Sequence, residues 1–291
     1  MNDKIDIFWP VPGFNITTIT GETYTLGNVI NEGGCAFVLD GIDSFGNPVA
    51  LKLFKPALRS FEDVKTQWEN ECKLFEKLRH PNIVAIYDHF IYGNLFYIVL
   101  ERANDSVYNL VNKFGPIPEL TVIEMTRQLL FAIHFIHKNN IVHRDITIYN
   151  ILYFQEVPSS KLIFKISDFG ISKDFSEICP WQPHVCSTNI AHPTFIPPEL
   201  LLPQYGYTSE QSDLYHLGLV LLYALTGNLP INELMSKEEI TQAILKGRPR
   251  IAAEKLNSPL GYFISILLRR RQEYRYSSAL EAWTALKASP V

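Results

Sequence analysis

The period of the apolar pattern changes near residue 105, and that change restricts the chain to folds that keep strands and helices apart. Residues 22 to 54 alternate short apolar runs with turns at Gly33-Gly34 and Gly46-Asn47-Pro48, which predicts a small antiparallel sheet. A helix follows, with Ser60 as N-cap, Asp63 as its capping-box partner, and an apolar stripe at Val64, Trp68, Phe75 and Leu78. Two more strands are predicted over Ile83 to Tyr87 and Leu95 to Leu100. Beyond residue 105 the spacing becomes helical, over Glu119 to Lys138 and again around Leu214, and the loops between carry His143, Asp145, Asn150 and Asp168. The expected fold is α+β and bilobal: an extension over 1–20, a small antiparallel β lobe with one helix over 21–104, and a larger, mainly helical lobe over 105–291. At 291 residues this is one domain or two tightly fused lobes. A cleft between two lobes is a natural small-molecule site.

Charge and composition narrow the function classes. A formal charge of −4, with no basic run beyond Arg269-Arg270-Arg271, gives no nucleic-acid footprint. The longest apolar stretch, Leu214 to Leu225 with Gly218 inside it, falls short of the roughly 20 residues that a bilayer crossing needs, so no membrane insertion is expected. Four cysteines are too few for a disulfide framework in a chain of this size, and the N-terminus lacks a charged start followed by an apolar signal core. A cytoplasmic location is therefore expected. Cys179, His184, Cys186 and His192 offer a zinc-compatible set of donors, although thiols and imidazoles in such a loop are more often unliganded.

The chemistry is concentrated in three segments. In Val49-Ala50-Leu51-Lys52-Leu53-Phe54, strand alternation puts Lys52 on one face between Ala50 and Phe54, where a half-buried ammonium needs an anion. Glu71 continues the helical spacing Val64, Trp68, Glu71, Phe75, Leu78, so a carboxylate sits in the stripe that faces the protein. Each charge supplies the partner that the other lacks. Just before that strand, Ile30-Asn31-Glu32-Gly33-Gly34-Cys35-Ala36-Phe37-Val38 carries small residues that let backbone N–H groups approach a phosphate. The third segment is His143-Arg144-Asp145-Ile146-Thr147-Ile148-Tyr149-Asn150, followed by Asp168-Phe169-Gly170. Phosphoryl transfer requires an acceptor to orient the attacking hydroxyl, oxygen ligands for Mg²⁺ and a cation on the phosphates. Asp145, Asn150 with Asp168, and Lys52 can fill those roles in turn.

Taken together these segments resemble the eukaryotic-type protein kinase family, in the family's motif order over roughly residues 24 to 285. The resemblance implies ATP and Mg²⁺ as cofactors. It implies that Lys52 pairs with Glu71 and the α/β-phosphates, that Asp145 is the catalytic base, and that Asn150 and Asp168 bind magnesium. It also implies a gatekeeper at Leu100, backbone bonds to adenine from Glu101 and Ala103, and a nucleotide pocket of Val38, Ala50 and Leu152 beneath Gly33. Pro197-Pro198-Glu199 is similar to the Ala-Pro-Glu motif, Arg275 falls where the family pairs an arginine with that glutamate, and Asp213 matches the aspartate that braces the catalytic loop. Arg144 and Lys173 are then the cations for a phosphate on the activation segment, at Thr188 or the adjacent Ser187.

The chain departs from the family's pattern at two places. Asn31 and Ala36 replace the first and third loop glycines, which is most similar to the numb-associated kinase group, whose loops read Glu-Gly-Gly-x-Ala. Thr147 stands where serine/threonine kinases carry a lysine, and His192 stands at the facing position, so a hydrogen bond between the two, or partial replacement of the lost cation by His192, is expected. The functional expectation is a kinase acting on Ser/Thr hydroxyls of proteins, including its own activation segment. Two alternatives stay open, a nucleotide-binding pseudokinase that serves as a scaffold and a phosphotransferase for a non-protein substrate.

Overall fold

A computed structural model of the chain describes residues 10–55, 60–155, 161–170, 172–174, 192–232 and 234–288. The described residues fall into two compact units, one drawn from 10–80 and 84–103 and the other from 81–83 and 104–288.

The first unit is a six-stranded sheet with one helix. Its strands are β1 (Asn15–Thr17), β2 (Thr23–Glu32), β3 (Ala36–Ile42), β4 (Pro48–Phe54), β5 (Ile86–Tyr92) and β6 (Leu95–Glu101), in the order β1-β2-β3-β4-β6-β5 with every neighbouring pair antiparallel. β1 lies in the stretch that the sequence marks only as an extension. The odd-numbered residues Val49, Leu51 and Leu53 of β4 join Leu26, Leu39, Tyr97 and Val99 in one core. Period-2 alternation therefore sends Ala50, Lys52 and Phe54 to the opposite face. The helix, α1 (Phe61–Lys77), starts at Ser60, whose Oγ accepts from the Asp63 amide at 3.1 Å, the first half of the capping box.

The strand expected over Ile83 to Tyr87 is displaced to Ile86–Tyr92. Tyr87 is bulged out of the ladder, and Tyr92 pairs with Leu95 across Gly93-Asn94, both with positive φ (57° and 60°). Two successive left-handed residues make the tight turn that matches strand twist, so the hairpin extends through Asp88 and His89 despite their polarity. Ile83 instead forms a single parallel bridge with Ile166 in the second unit.

The second unit is mainly helical: α2 (Val107–Phe114), α3 (Glu119–Lys138), α4 (Pro198–Leu201), α5 (Glu210–Thr226), α6 (Lys237–Leu245), α7 (Arg248–Glu254), α8 (Pro259–Leu267) and α9 (Ala279–Ala288). Short strands β7 (Asp105–Ser106), β8 (Ile141–Val142), β9 (Ile151–Gln155), β10 (Leu162–Ile166) and β11 (Lys173–Asp174) pair as β10-β9-β7 and β11-β8. α5 is the axis of this unit. It is buried on every side from Ser212 to Ala224, which explains an apolar run without amphipathic spacing. A Cβ on Gly218 would meet the Leu268 side chain at 2.9 Å, so glycine is what lets that segment pack against α5. Among the described residues no helix is long and apolar enough to cross a membrane.

One ion pair ties α4 to the C-terminal part of this unit. Arg275 donates from Nη1 to Glu199 Oε1 at 2.9 Å and from Nη2 to Oε2 at 2.7 Å, with both side chains fully buried. Ser212 Oγ (2.7 Å) and Gln272 Nε2 (3.1 Å) also donate to Glu199 Oε1. The pairing is bidentate, and its desolvation is offset only while all partners are present. Arg275→Leu is expected to destabilise the second unit by roughly 3–5 kcal/mol, because it strands a buried carboxylate. Urea unfolding checks this, and the double variant Glu199→Leu/Arg275→Leu should lose less than Arg275→Leu alone.

Candidate active site

In the first unit, β4 and α1 bring the predicted charge pair together. Lys52 Nζ lies 2.5 Å from Glu71 Oε1, and the two residues are 7 % and 1 % exposed. Lys52 pairs in register with Val38 on β3 and Ile98 on β6, so its position is fixed from both sides by backbone ladders. Ala50, Leu100 and Ala103 are buried, and Val38 is half-buried. Glu101 Oε1 accepts from the Ala85 amide at 2.9 Å, and the Ala103 carbonyl accepts from Arg102 Nη1 at 2.5 Å. The Gly33 amide donates to Ala36 O at 2.9 Å and closes the loop between β2 and β3. A Cβ on Gly34 would meet nothing within 4 Å, and one on Gly33 only Ala36 O at 3.7 Å. The chain's own packing demands neither glycine.

In the second unit, Asp213 organises the loop after β8. Buried completely on α5, it accepts from the amides of His143 (2.9 Å, Oδ2) and Arg144 (2.8 Å, Oδ1) and contacts His137 Nε2 at 2.9 Å. Arg144 takes φ +71°, a conformation that costs a non-glycine residue and persists where the surroundings hold it. Six residues past Arg144, Asn150 Nδ2 donates to Asp145 Oδ2 (2.8 Å) and to its carbonyl (3.0 Å). Asn150 thus directs its nitrogen at Asp145, and its Oδ1 is the atom it can offer a cation. Asp168 also has a left-handed backbone, φ +62°, and its Oδ1 accepts from the Gly170 amide at 3.1 Å. Leu152 is half-buried on β9, paired with Lys165.

His143 links these pieces. Its Nδ1 accepts from the Asp145 amide (3.3 Å), and its Nε2 donates to Ser167 O (3.2 Å) one residue before Asp168. Phe169 stacks edge-on against its ring at 4.7 Å. Burial lowers the His143 pKa, in keeping with the neutral ring these bonds require. Burial alone would raise the pKa of Asp213, but the His137 hydrogen bond and the charges of His137, His143 and His216 outweigh it and hold the carboxyl low.

The hydrogen bond expected between Thr147 and His192 is not formed. Thr147 is 2 % exposed, while His192 sits at the start of a 3₁₀ turn, Pro193–Phe195, and its Nδ1 meets Thr194 Oγ1 at 3.0 Å. Its ring lies beside Tyr149 (5.2 Å) and Phe195 (5.8 Å). The local turn, rather than a distant hydroxyl, captures the imidazole. Lys173 enters β11 opposite Val142, but its side chain, like Ser187, Thr188 and the Cys179, His184 and Cys186 group, lies outside the described residues. His137 and Ser167 are part of the site and were not singled out from sequence. The signal for His137 was available: it is four residues past Ile133 on the buried stripe of α3, the same kind of polar interruption that marks Glu71.

His216 gives this cluster an acid sensitivity. It is 2 % exposed on α5, its Nδ1 has no hydrogen-bond partner among the described residues, and burial pushes its pKa down to about 4. The unfolded chain binds that proton near pH 6.5, so stability is complete above that pH and falls as pH drops toward 4. Asp213 does not oppose the trend in this window, because its pKa lies below 3.8. At ~1.4 kcal/mol per unit, stability at pH 5 should be ~2 kcal/mol lower than at pH 7.5 from His216 alone. In His216→Leu, chemical denaturation at the two pH values should show a correspondingly shallower loss.

Known proteins place this arrangement. The protein kinase domain model matches residues 24–288. The chain is 30 % identical over 202 residues to a probable serine/threonine-protein kinase zyg-1 of Caenorhabditis briggsae, covering 69 % of this chain and 26 % of that protein. It is 29 % identical over 286 residues to the calcium/calmodulin-dependent protein kinase type 1 of Caenorhabditis briggsae, covering 95 % and 75 %. It is 31 % identical over 220 residues to a probable serine/threonine-protein kinase of Clostridium acetobutylicum, covering 74 % and 32 %. The matched part thus spans from about a quarter to three quarters of these relatives' own lengths. With the motif order, the sheet-plus-helix unit, the helical unit and a family match over nearly all of its length, this chain belongs to the eukaryotic-type protein kinase family.

Proposed function

We propose that the chain is a MgATP-dependent protein kinase that transfers the γ-phosphate of ATP to serine or threonine hydroxyls of proteins. The observation that carries this reading is the Asp145–Asn150 bond within a loop whose backbone is fixed by Asp213. That bond orients one carboxylate as an acceptor for a hydroxyl proton and leaves an amide oxygen for a metal. Asn150 Oδ1 and the Asp168 carboxylate are hard oxygen donors, the set that suits Mg²⁺. Together they would hold a magnesium ion, which would supply positive charge to offset that of the phosphates. Lys52, held by Glu71, supplies the cation for the α/β-phosphates. Gly33 and Gly34, which the protein's own packing leaves open, supply room for phosphates beneath the loop. The adenine falls to Val38, Ala50, Leu100, Glu101, Ala103 and Leu152.

The Glu199–Arg275 pair and Asp213 support a protein substrate over a small-molecule one. The names of the relatives support the serine/threonine class. Arg144, with Lys173, is assigned to an autophosphorylated Thr188 or Ser187. One observation favours a second reading, a nucleotide-binding pseudokinase: Thr147 is buried and brings no cation to the γ-phosphate.

Intact-mass measurement after incubation with MgATP distinguishes the two readings. Phosphate should appear on the unmutated chain and not on Asp168→Ala, and peptide mapping should place it at Thr188 or Ser187. Lys52→Met should reduce the rate by at least about 100-fold, the scale of a lost transition-state charge contact. Nucleotide binding without phosphate incorporation would select the pseudokinase.

A further inference from the structure

The loop between β2 and β3 is tied down from the face opposite Lys52. Lys55, the residue after β4, continues the ladder by donating its amide to Cys35 O at 2.9 Å. Its ammonium lies 4.2 Å from the centre of the Phe37 ring and 2.6 Å from Glu32 Oε1. Glu32 and Phe37 are register partners on β2 and β3, the last pair before the loop, and Phe37 is in turn opposite Leu53 on β4. One cation therefore bridges three adjacent strands at the point where the hairpin leaves the sheet. Phe37 and Leu53 belong to the side that packs on the core of Leu39 and Leu51, whereas Lys52 and Ala50 face the other way. The cluster thus lies on the opposite side of the sheet from Lys52.

The loop needs such a tie. β2 slips register twice on its way to the loop, between Leu26 and Val29 and between Val29 and Asn31. Bulges weaken a ladder and increase twist. Within the turn, the Gly33 amide bonds Ala36 O, and Asn31 Oδ1 accepts from the Glu32 amide at 3.0 Å. Both bonds are internal to the hairpin and do nothing to aim it. The β3–β4 ladder ends with Ala36 opposite Phe54, and the Lys55 amide and ammonium carry the connection to β4, the strand that holds Lys52, past that point to Cys35 and Glu32.

We propose that Lys55, through Phe37 and Glu32, is a positioning residue that holds the phosphate-covering loop over the nucleotide. The proposal rests on the nucleotide-binding reading above. Lys55 acts at a distance, so removing its charge should loosen the loop without altering the adenine pocket. The Glu32 side chain is 61 % exposed, so the ion pair is individually weak, and the ring contact adds to it.

Calorimetric titration of the full chain with Mg-bound AMP-PNP and, separately, with adenosine tests this, alongside hydrogen exchange of the ligand-free protein over residues 30–38. Lys55→Met should weaken AMP-PNP binding by about three- to tenfold, the scale of one lost ion pair with one cation–π contact. Adenosine affinity should stay within about twofold, since it carries no phosphate for the loop to cover, and exchange over residues 30–38 should quicken. Glu32→Gln should give a smaller loss in the same direction, and adding it to Lys55→Met should cost nothing further. Equal weakening of both ligands, or unchanged exchange, would overturn the proposal. Failure of the unmutated chain to bind either ligand would refute the nucleotide reading instead, and the exchange measurement would still decide whether Lys55 holds the loop.

Discussion

A single buried carboxylate fixes the loop that carries Asp145 and Asn150. Asp213 is fully enclosed, yet it stays ionised because two backbone amides and an imidazole point at it. A carboxylate bound by backbone N–H groups dictates main-chain conformation more strictly than side-chain packing does, and the left-handed turn at Arg144 is the visible result. From that turn follow the direction of Asp145, the reach of Asn150 and the seat of the His143 ring between Asp145 and Ser167. Asp213 touches none of the groups assigned to substrate or metal. Its part is to make their placement independent of whether either is present.

The first unit solves a similar problem by different means. Lys52 is fixed by two ladders and one carboxylate, and the carboxylate comes from a helix rather than the sheet. Position therefore depends on how α1 lies against β4. Trp68 helps to set that: its indole N–H donates to Tyr97 O on β6 at 2.9 Å, and its ring meets Phe96 at 5.3 Å. A polar handle on a large apolar side chain fixes both distance and rotation of the helix.

Much of this was legible in the sequence because the signals were periodic. Glu71 was visible as a charge in an apolar stripe, α3 could be bounded from spacing alone, and the apolar run from Leu214 to Leu225 marked the helix that became α5. The chemistry of Asp145, Asn150 and Asp168 could be assigned as expectations because residue type and order together restrict what such a loop can do. What could not be read depended on backbone geometry that has no period. The hairpin of β5 and β6 turns on two left-handed residues, and a bulge at Tyr87 displaced its start. Thr147 and His192 looked like partners because they fill facing positions in a pattern, but a three-residue turn decides where an imidazole points. His137 was missed for a different reason: a histidine near a helix end reads as a solvated residue unless its stripe is counted.

The reach of the buried contacts in sequence also orders the events of synthesis. All the strands of the first unit are complete by Glu101, so that sheet can close while the rest of the chain is still being made. The second unit has no such early closure. Asp213 receives its amides from 70 and 69 residues upstream, and Glu199 waits for an arginine 76 residues downstream. Until Arg275 has emerged, α4 carries a carboxylate with no cation to meet it, and the helices around it can collapse but not lock. The nascent chain would pass through a stage with a finished sheet and an unsealed helical half, and that is the stage at which a folding helper would have most to hold.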